Sequence, residues 1–244
     1  MSLVDAHCHL ANLAETMPVP EFIKEAQAKG IRAFISSMLK RRDIDWHREN
    51  PDPCILIQAG IHPSFDESDL IQEDIPLLEK TGLLSALGEI GLDRNNKDLD
   101  WQKAQLVTQL NLARDVKLPV CLHIVGHQNL IYTYLKHYNI RYLIHGYAGS
   151  LEGFELLCRL DSCFTISSRI LREDKRKLLE SIIASGRYLF ETDITRYYVH
   201  EGEANPLLRL LDLFEKVKAL TGISEKELLM NQDENLEHFL GRAL

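Results

Sequence analysis

The sequence predicts an α/β fold: a (β/α)8 TIM barrel carrying an extra C-terminal helix. Three observations lead there. Eight short runs rich in β-branched and aromatic residues recur from end to end, amphipathic helical patterns lie between them, and 244 residues suit eight such units. Strand and helix in alternation imply a parallel sheet. An open doubly wound sheet is the alternative, but a Gly-rich phosphate loop would then follow the first strand, and HCHLANLAE is not one.

The first run, SLVDAHC at 2–8, leads into the stretch VDAHCHL. Strict alternation along a strand would point Asp5, His7 and His9 one way and Ala6 and Cys8 the other, with Cys8 toward the helices. PEFIKEAQAKG at 20–30 has apolar residues at helical spacing and closes on Gly30 before the strand run IRAFISSM at 31–38. CILIQAGI at 54–61 is the third strand, followed by a helical pattern over 69–82 that ends on Gly82. LLSALGEIGL at 83–92 precedes the longest helical pattern, 99–117. The strands LPVCLHIV at 118–125, RYLIHGY at 141–147 and CFTISS at 163–168 follow. EDKRKLLESIIASG at 173–186 is helical and leads to the eighth strand, RYLFETD at 187–193. Two helices close the chain: 205–220, opened by Asn205 and Pro206, and 224–240, opened by Ser224 with Glu227 in capping-box position.

No linker, repeat or low-complexity tract interrupts this order, so one domain over 1–244 is expected. With 45% apolar residues the chain has enough core to fold without metal staples, so any bound metal is expected to serve chemistry. The five cysteines form no C-x-x-C pair, which fits a reducing cytoplasm without disulfides. No leader pattern and no membrane-length apolar run are present, and a cytoplasmic protein is expected. A formal net charge of −8 argues against coating nucleic acid through a broad basic surface and leaves a local cationic pocket open.

On a barrel, chemistry sits at the C-terminal ends of the strands. There the sequence places His7 and His9, His62 in GIHP, Glu89 and Asp93 in GEIGLD, His123, His145, and Glu191 and Asp193 in ETD. Singly, each has a bland reading as a turn residue, a helix cap or a core histidine. Together, buried imidazoles and carboxylates on one rim are costly unless they are paired or ligated. Four histidines, Glu89 and Asp193 exceed what one tetrahedral zinc takes and divide well between two cations sharing a carboxylate. Two metals about 3.5–4 Å apart are a standard apparatus for phosphate-ester hydrolysis.

These residues in this order resemble the TatD family of metal-dependent hydrolases, among the amidohydrolase-like barrels. The matching stretches are DAHCHL at 5–10, GIHP at 60–63, GEIGLD at 88–93, LPVCLH at 118–123, IHGYAGS at 144–150, ETD at 191–193 and ENLEHF at 234–239, spread over essentially the whole chain. The resemblance implies that His7, His9 and Asp193 bind one divalent metal and His123 and His145 a second, with Glu89 bridging. It further implies that Asp193 accepts a proton from the attacking water, that His62 lies near a substrate oxygen, and that Asp5 and Glu191 face the interior as supporting carboxylates. The metal, whether zinc, manganese, magnesium, nickel or iron, is left open by the donor set.

Three positions depart from the family pattern: Val125 replaces a common arginine, Arg94 a common aromatic, and Ile194-Thr195 a small residue followed by proline. Arg94 is therefore expected to contact substrate, with Arg169 and Arg196 as other replacements for the missing arginine. The activity implied is a two-metal phosphodiesterase, exonuclease-like on DNA ends and working as a monomer without an obligate protein partner. The alternatives are a deacylase of D-aminoacyl-tRNA or other ester and amide hydrolase, and a non-catalytic metal-binding protein.

Overall fold

The computed structural model describes residues 2–243. Its strands are β1 (Leu3–Cys8), β2 (Ile31–Met38), β3 (Ile55–Ala59), β4 (Leu84–Asp93), β5 (Val120–Val125), β6 (Tyr142–His145), β7 (Ser162–Ile166) and β8 (Tyr188–Phe190). Each pairs in parallel with its sequence neighbour, and β8 pairs back to β1, closing the barrel. The helices between them are α1 (Leu10–Leu13) and α2 (Val19–Ala28) after β1, α3 (Arg41–Glu49), α4 (Asp74–Lys80), α5 (Leu99–Val116), α6 (Gln128–Leu135), α7 (Leu151–Leu157) and α8 (Arg176–Ser185). The helices α9 (Arg209–Thr221) and α10 (Glu225–Leu240) complete the chain. Among the described residues no helix is long and apolar enough to cross a membrane.

Two apolar cores result. The inner one takes a residue from every strand, including Val4, Ile35, Leu56, Ala86, Cys121, Leu143, Cys163 and Leu189, and adds Leu236, Phe239 and Leu240 of α10. Helix α10 therefore plugs the end of the barrel where the strands begin, and its Gln232 accepts a hydrogen bond from the Val4 N–H at 3.0 Å. Its cap is the expected one: Ser224 Oγ accepts from the Glu227 N–H. With one end filled by apolar side chains, polar ones gather at the other. The outer core lies between strands and helices and includes Phe34, Leu87, Leu122 and Phe164.

The structure corrects the simple alternation expected of β1. Asp5 pairs with Phe34 and Cys8 with Ser36, so three steps on β1 match two on β2. This extra residue puts Ala6 in the inner core and His7 against the inward-facing Gln58 and Cys121, while Cys8 joins the outer core. Asp5 does not share the site with His7. Of His7 its carboxylate meets only the backbone N–H, at 3.3 Å, and it accepts from the Thr192 N–H at 3.0 Å and the Thr192 hydroxyl at 2.6 Å, tying β1 to the segment after β8.

The helical pattern over 69–82 shrinks to α4 because Pro76 lacks an N–H and fits only within a first turn. The eighth strand stops at Phe190, so Glu191 and Asp193 stand beyond the paired ladder. Arg209 rather than Asn205 begins α9; residues 206–208 form a 3-10 turn.

Candidate metal centre

Glu89 is the hub. Gly88 and Gly91 bracket it in β4, and a Cβ on Gly91 would collide with the His123 carbonyl oxygen, so glycine there lets β4 run close against β5. Glu89 Oε1 lies 3.3 Å from His7 Nε2 and 3.4 Å from His9 Nε2. Its Oε2 lies 2.9 Å from His145 Nε2, 3.6 Å from His123 Nδ1 and 3.5 Å from His62 Nε2. One carboxylate thus divides its oxygens between two histidine sets. Asp193 joins the first set, with Oδ1 at 3.7 Å from His7 and 3.4 Å from His9. Asp193 has a positive φ of 52°, a region aspartate tolerates better than most residues, and its N–H donates to the His7 carbonyl at 3.0 Å.

The partners of each ring fix which nitrogen faces Glu89. His9 Nδ1–H donates to the Ser37 carbonyl at 3.2 Å, and His123 Nε2–H donates to Asp93 Oδ2 at 3.0 Å. Carbonyl and carboxylate only accept, so in the neutral ring, the form that binds a cation, the opposite nitrogens, His9 Nε2 and His123 Nδ1, present lone pairs to the hub. His145 turns its Nε2 inward as well, 2.9 Å from Glu89 Oε2 and 3.0 Å from His123 Nδ1, while its Nδ1 is buried without a hydrogen-bond partner, 3.8 Å from Glu191. His62 differs. Its Nδ1 accepts from the Ser64 N–H at 3.0 Å, so its inward Nε2 carries the proton and acts as a donor.

Burial sets the electrostatics. It raises the Glu89 pKa, but His7, His145 and His62 together more than offset it and hold the carboxyl well below its ordinary range. Asp193 is likewise held low, burial being outweighed by His9, His145 and His7. Burial and the Asp193 charge push Glu191 well up. Burial and His7 bring His145 down to about 3, whereas Asp93 and Glu89 overcome burial to lift His123 to about 9. His7 Nε2 and Glu89 Oε1 are buried without hydrogen-bond partners although they face each other. Orphaned atoms of this kind, in a set of imidazole nitrogens and ionised carboxylate oxygens, fit divalent cations.

The family described as TatD related DNase matches residues 4–241. The chain belongs to the TatD-related DNase family. It is 24% identical to the uncharacterised metal-dependent hydrolase YabD of Bacillus subtilis over 96% of both chains. It is 30% identical to the 3'-5' ssDNA/RNA exonuclease TatD of a Rahnella strain over 65% of this chain and 64% of that one. The solved structure of YjjV, a TatD homologue from Escherichia coli K12, superposes with a TM-score of 0.79 at 23% identity, covering 97% of each chain. A closed eight-stranded barrel is thus the TatD fold.

A cavity of about 370 Å3 opens over the histidines and Glu89, walled by Leu39, Phe65, Thr195, Tyr197 and Tyr198. Of the three arginines singled out from the sequence, Arg169 is the one at the cavity, its guanidinium 2.6 Å from Asp193 Oδ2. Arg94 is exposed, packs its methylenes over Gly126 and is absent from the lining. Arg196 is held by Glu15 and stacks on Tyr197. Sequence reasoning missed Gln58, Ser37 and the tyrosines. Gln58 alone left a signal there: an amide inside an apolar strand two residues before Gly60.

Proposed function

We propose that this TatD-related protein is a two-metal phosphodiesterase that removes nucleotides from the ends of single-stranded DNA. The observation that carries the reading is the Glu89 carboxylate, whose two oxygens face two separate sets of histidine nitrogens. His7, His9 and Asp193 would hold one cation, His123 and His145 the other, and Glu89 both. Bound there, the cations would acidify a water and neutralise charge on the phosphate. Asp193, ionised at neutral pH, accepts the water's proton at Oδ1, while Arg169 on Oδ2 keeps the carboxylate aimed into the cavity. His62 Nε2–H, 3.5 Å from Glu89, donates to an oxygen of the scissile phosphate. Burial and the neighbouring His123 hold its pKa down, so it works as a neutral donor. The name of the Rahnella relative supports a single-stranded nucleic acid as substrate.

The test is end-labelled single-stranded DNA incubated with manganese-, magnesium- or zinc-loaded protein. Stepwise shortening that stops in chelator is expected. Glu89→Gln should lose both turnover and bound metal, because a neutral amide cannot offset two cations. A metal-replete protein that cuts no phosphodiester, or a Glu89→Gln variant with full metal and rate, would overturn the reading.

A further inference from the structure

Beside the reaction cavity lies a second one, also about 370 Å3, and Arg169, Asp193, Tyr197 and Tyr198 line both. Its own walls are Ser167, Ser168, His200 and Arg209, with Thr192 and Val199. This lining is rich in donors: hydroxyls, an imidazole and two guanidinium groups. Its one carboxylate, Asp193, already has Oδ2 engaged by Arg169. Both guanidinium groups are paired with carboxylates, Arg169 with Asp193 and Arg209 with Glu203, and the Nη1 of each remains to donate to an anion in the hollow. Arg209 is fixed there by Glu203, which takes its Nε at 2.6 Å, and by the Tyr198 carbonyl at 2.9 Å. At the mouth, Tyr197 and Tyr198 leave 49% and 53% of their surface exposed, and Arg196 stacks on the Tyr197 ring. Tyr197 is pinned by a hydrogen bond from its hydroxyl to Glu67 at 2.8 Å.

We propose that this second chamber holds the nucleotide next to the scissile phosphate, with that nucleotide's own phosphate against Arg209 and the serine hydroxyls and its base stacked on Tyr198. The inference rests on the phosphodiesterase reading and adds where the strand runs. Cations with an adjacent exposed aromatic are the combination by which unpaired nucleotides are held, since every base offers a π-face. The volume lies in the range of small-ligand sites and suits one nucleotide. A duplex end keeps its bases stacked on one another and offers none to Tyr198, so the chamber selects single strands.

Two measurements test this on metal-loaded protein, wild type and His200→Ala, Arg209→Gln and Ser168→Trp. The first is the ratio of kcat/KM for trithymidylate to kcat/KM for bis(4-nitrophenyl) phosphate, which has no flanking nucleotide. The second is the Kd of a labelled, phosphorothioate-linked trithymidylate by fluorescence anisotropy, which reads binding even without turnover. The ratio should fall and the Kd rise about tenfold or more in Arg209→Gln and Ser168→Trp, and by a smaller factor in His200→Ala, with thermal melts confirming folded variants. A ratio and a Kd that none of the three variants moves would overturn the chamber. Binding that responds to the variants while neither diester is cleaved would uphold the chamber and overturn the hydrolytic reading instead. Weakened binding of inorganic phosphate with no change for the trinucleotide would reduce the chamber to a small-anion site and overturn the nucleotide assignment.

Discussion

At the scale of single residues, the orientation of His7 is the most consequential detail. The Gln58 amide meets His7 Nδ1 at 3.0 Å, and its carbonyl oxygen is buried without a partner. Turning that amide by 180° lets the oxygen accept from Nδ1–H and leaves the Nε2 lone pair for a cation, satisfying both orphans at once. Gln58→Leu should therefore weaken metal affinity about ten- to hundredfold, the usual effect of removing a ligand's orienting partner, and Gln58→Glu should largely restore it. Competition against a chromophoric chelator reads this directly, and unchanged affinity in Gln58→Leu would mean that something else orients His7. The contrast explains what was legible. His7, His9, His123 and His145 announce themselves because each ends a strand, and strand ends share one rim. Gln58 and Ser37 act by touching a ring from a different strand, and one linear sequence does not print such contacts. Arg94 shows the same limit: its place beside Asp93 in sequence says nothing about where a long flexible side chain goes, and its methylenes lie over Gly126.

At the scale of elements, strands were easier to read than the short polar helices. Helix α3, RRDIDWHRE, has too few apolar residues to show a stripe, yet it forms because Asp43 accepts from the Leu39 and Lys40 N–H groups at 2.7 and 2.9 Å. It also buries His47, whose Nε2 meets Ser36 Oγ at 3.2 Å and whose Nδ1 has no partner. Burial pulls this histidine down to about 4 from its ordinary 6.5. Between those values the unfolded chain binds the proton and the folded chain does not, so stability rises with pH there. The contribution is complete above the unfolded value and is lost as the solution is acidified toward the folded one. At pH 4.5 the loss is about 2–3 kcal/mol. Urea unfolding at pH 7.5 and pH 4.5 should show wild type losing more stability than His47→Gln by about that amount, since groups common to both proteins cancel. Equal losses would show that His47 is not held neutral in the folded state.

At the scale of the whole molecule, charge decides how a polyanion is met. The net −8 was plain in the sequence, but where the positive charge remains available was not, because long-range pairing determines it. Around the mouth, Arg42 and Arg196 pair with Glu15 and Lys40 with Glu67, while Arg169 and Arg209, the guanidinium groups lining the cavities, pair with Asp193 and Glu203 and keep Nη1 for a phosphate. A strand bound this way neutralises two or three phosphates, and single-stranded nucleic acid releases counterions with a slope of about −0.7 per phosphate neutralised. A plot of log binding constant against log salt for a phosphorothioate oligothymidylate should thus have a slope of about −1.4 to −2.1. Affinity should also stop rising once the oligonucleotide exceeds about three residues, because beyond the two chambers an acidic surface repels further phosphates as readily as local contacts attract them. A slope steeper than about −4 would require roughly six neutralised phosphates. The described lining does not supply that number, so such a slope would place the strand on a basic track elsewhere on the barrel and remove the two-chamber path from consideration.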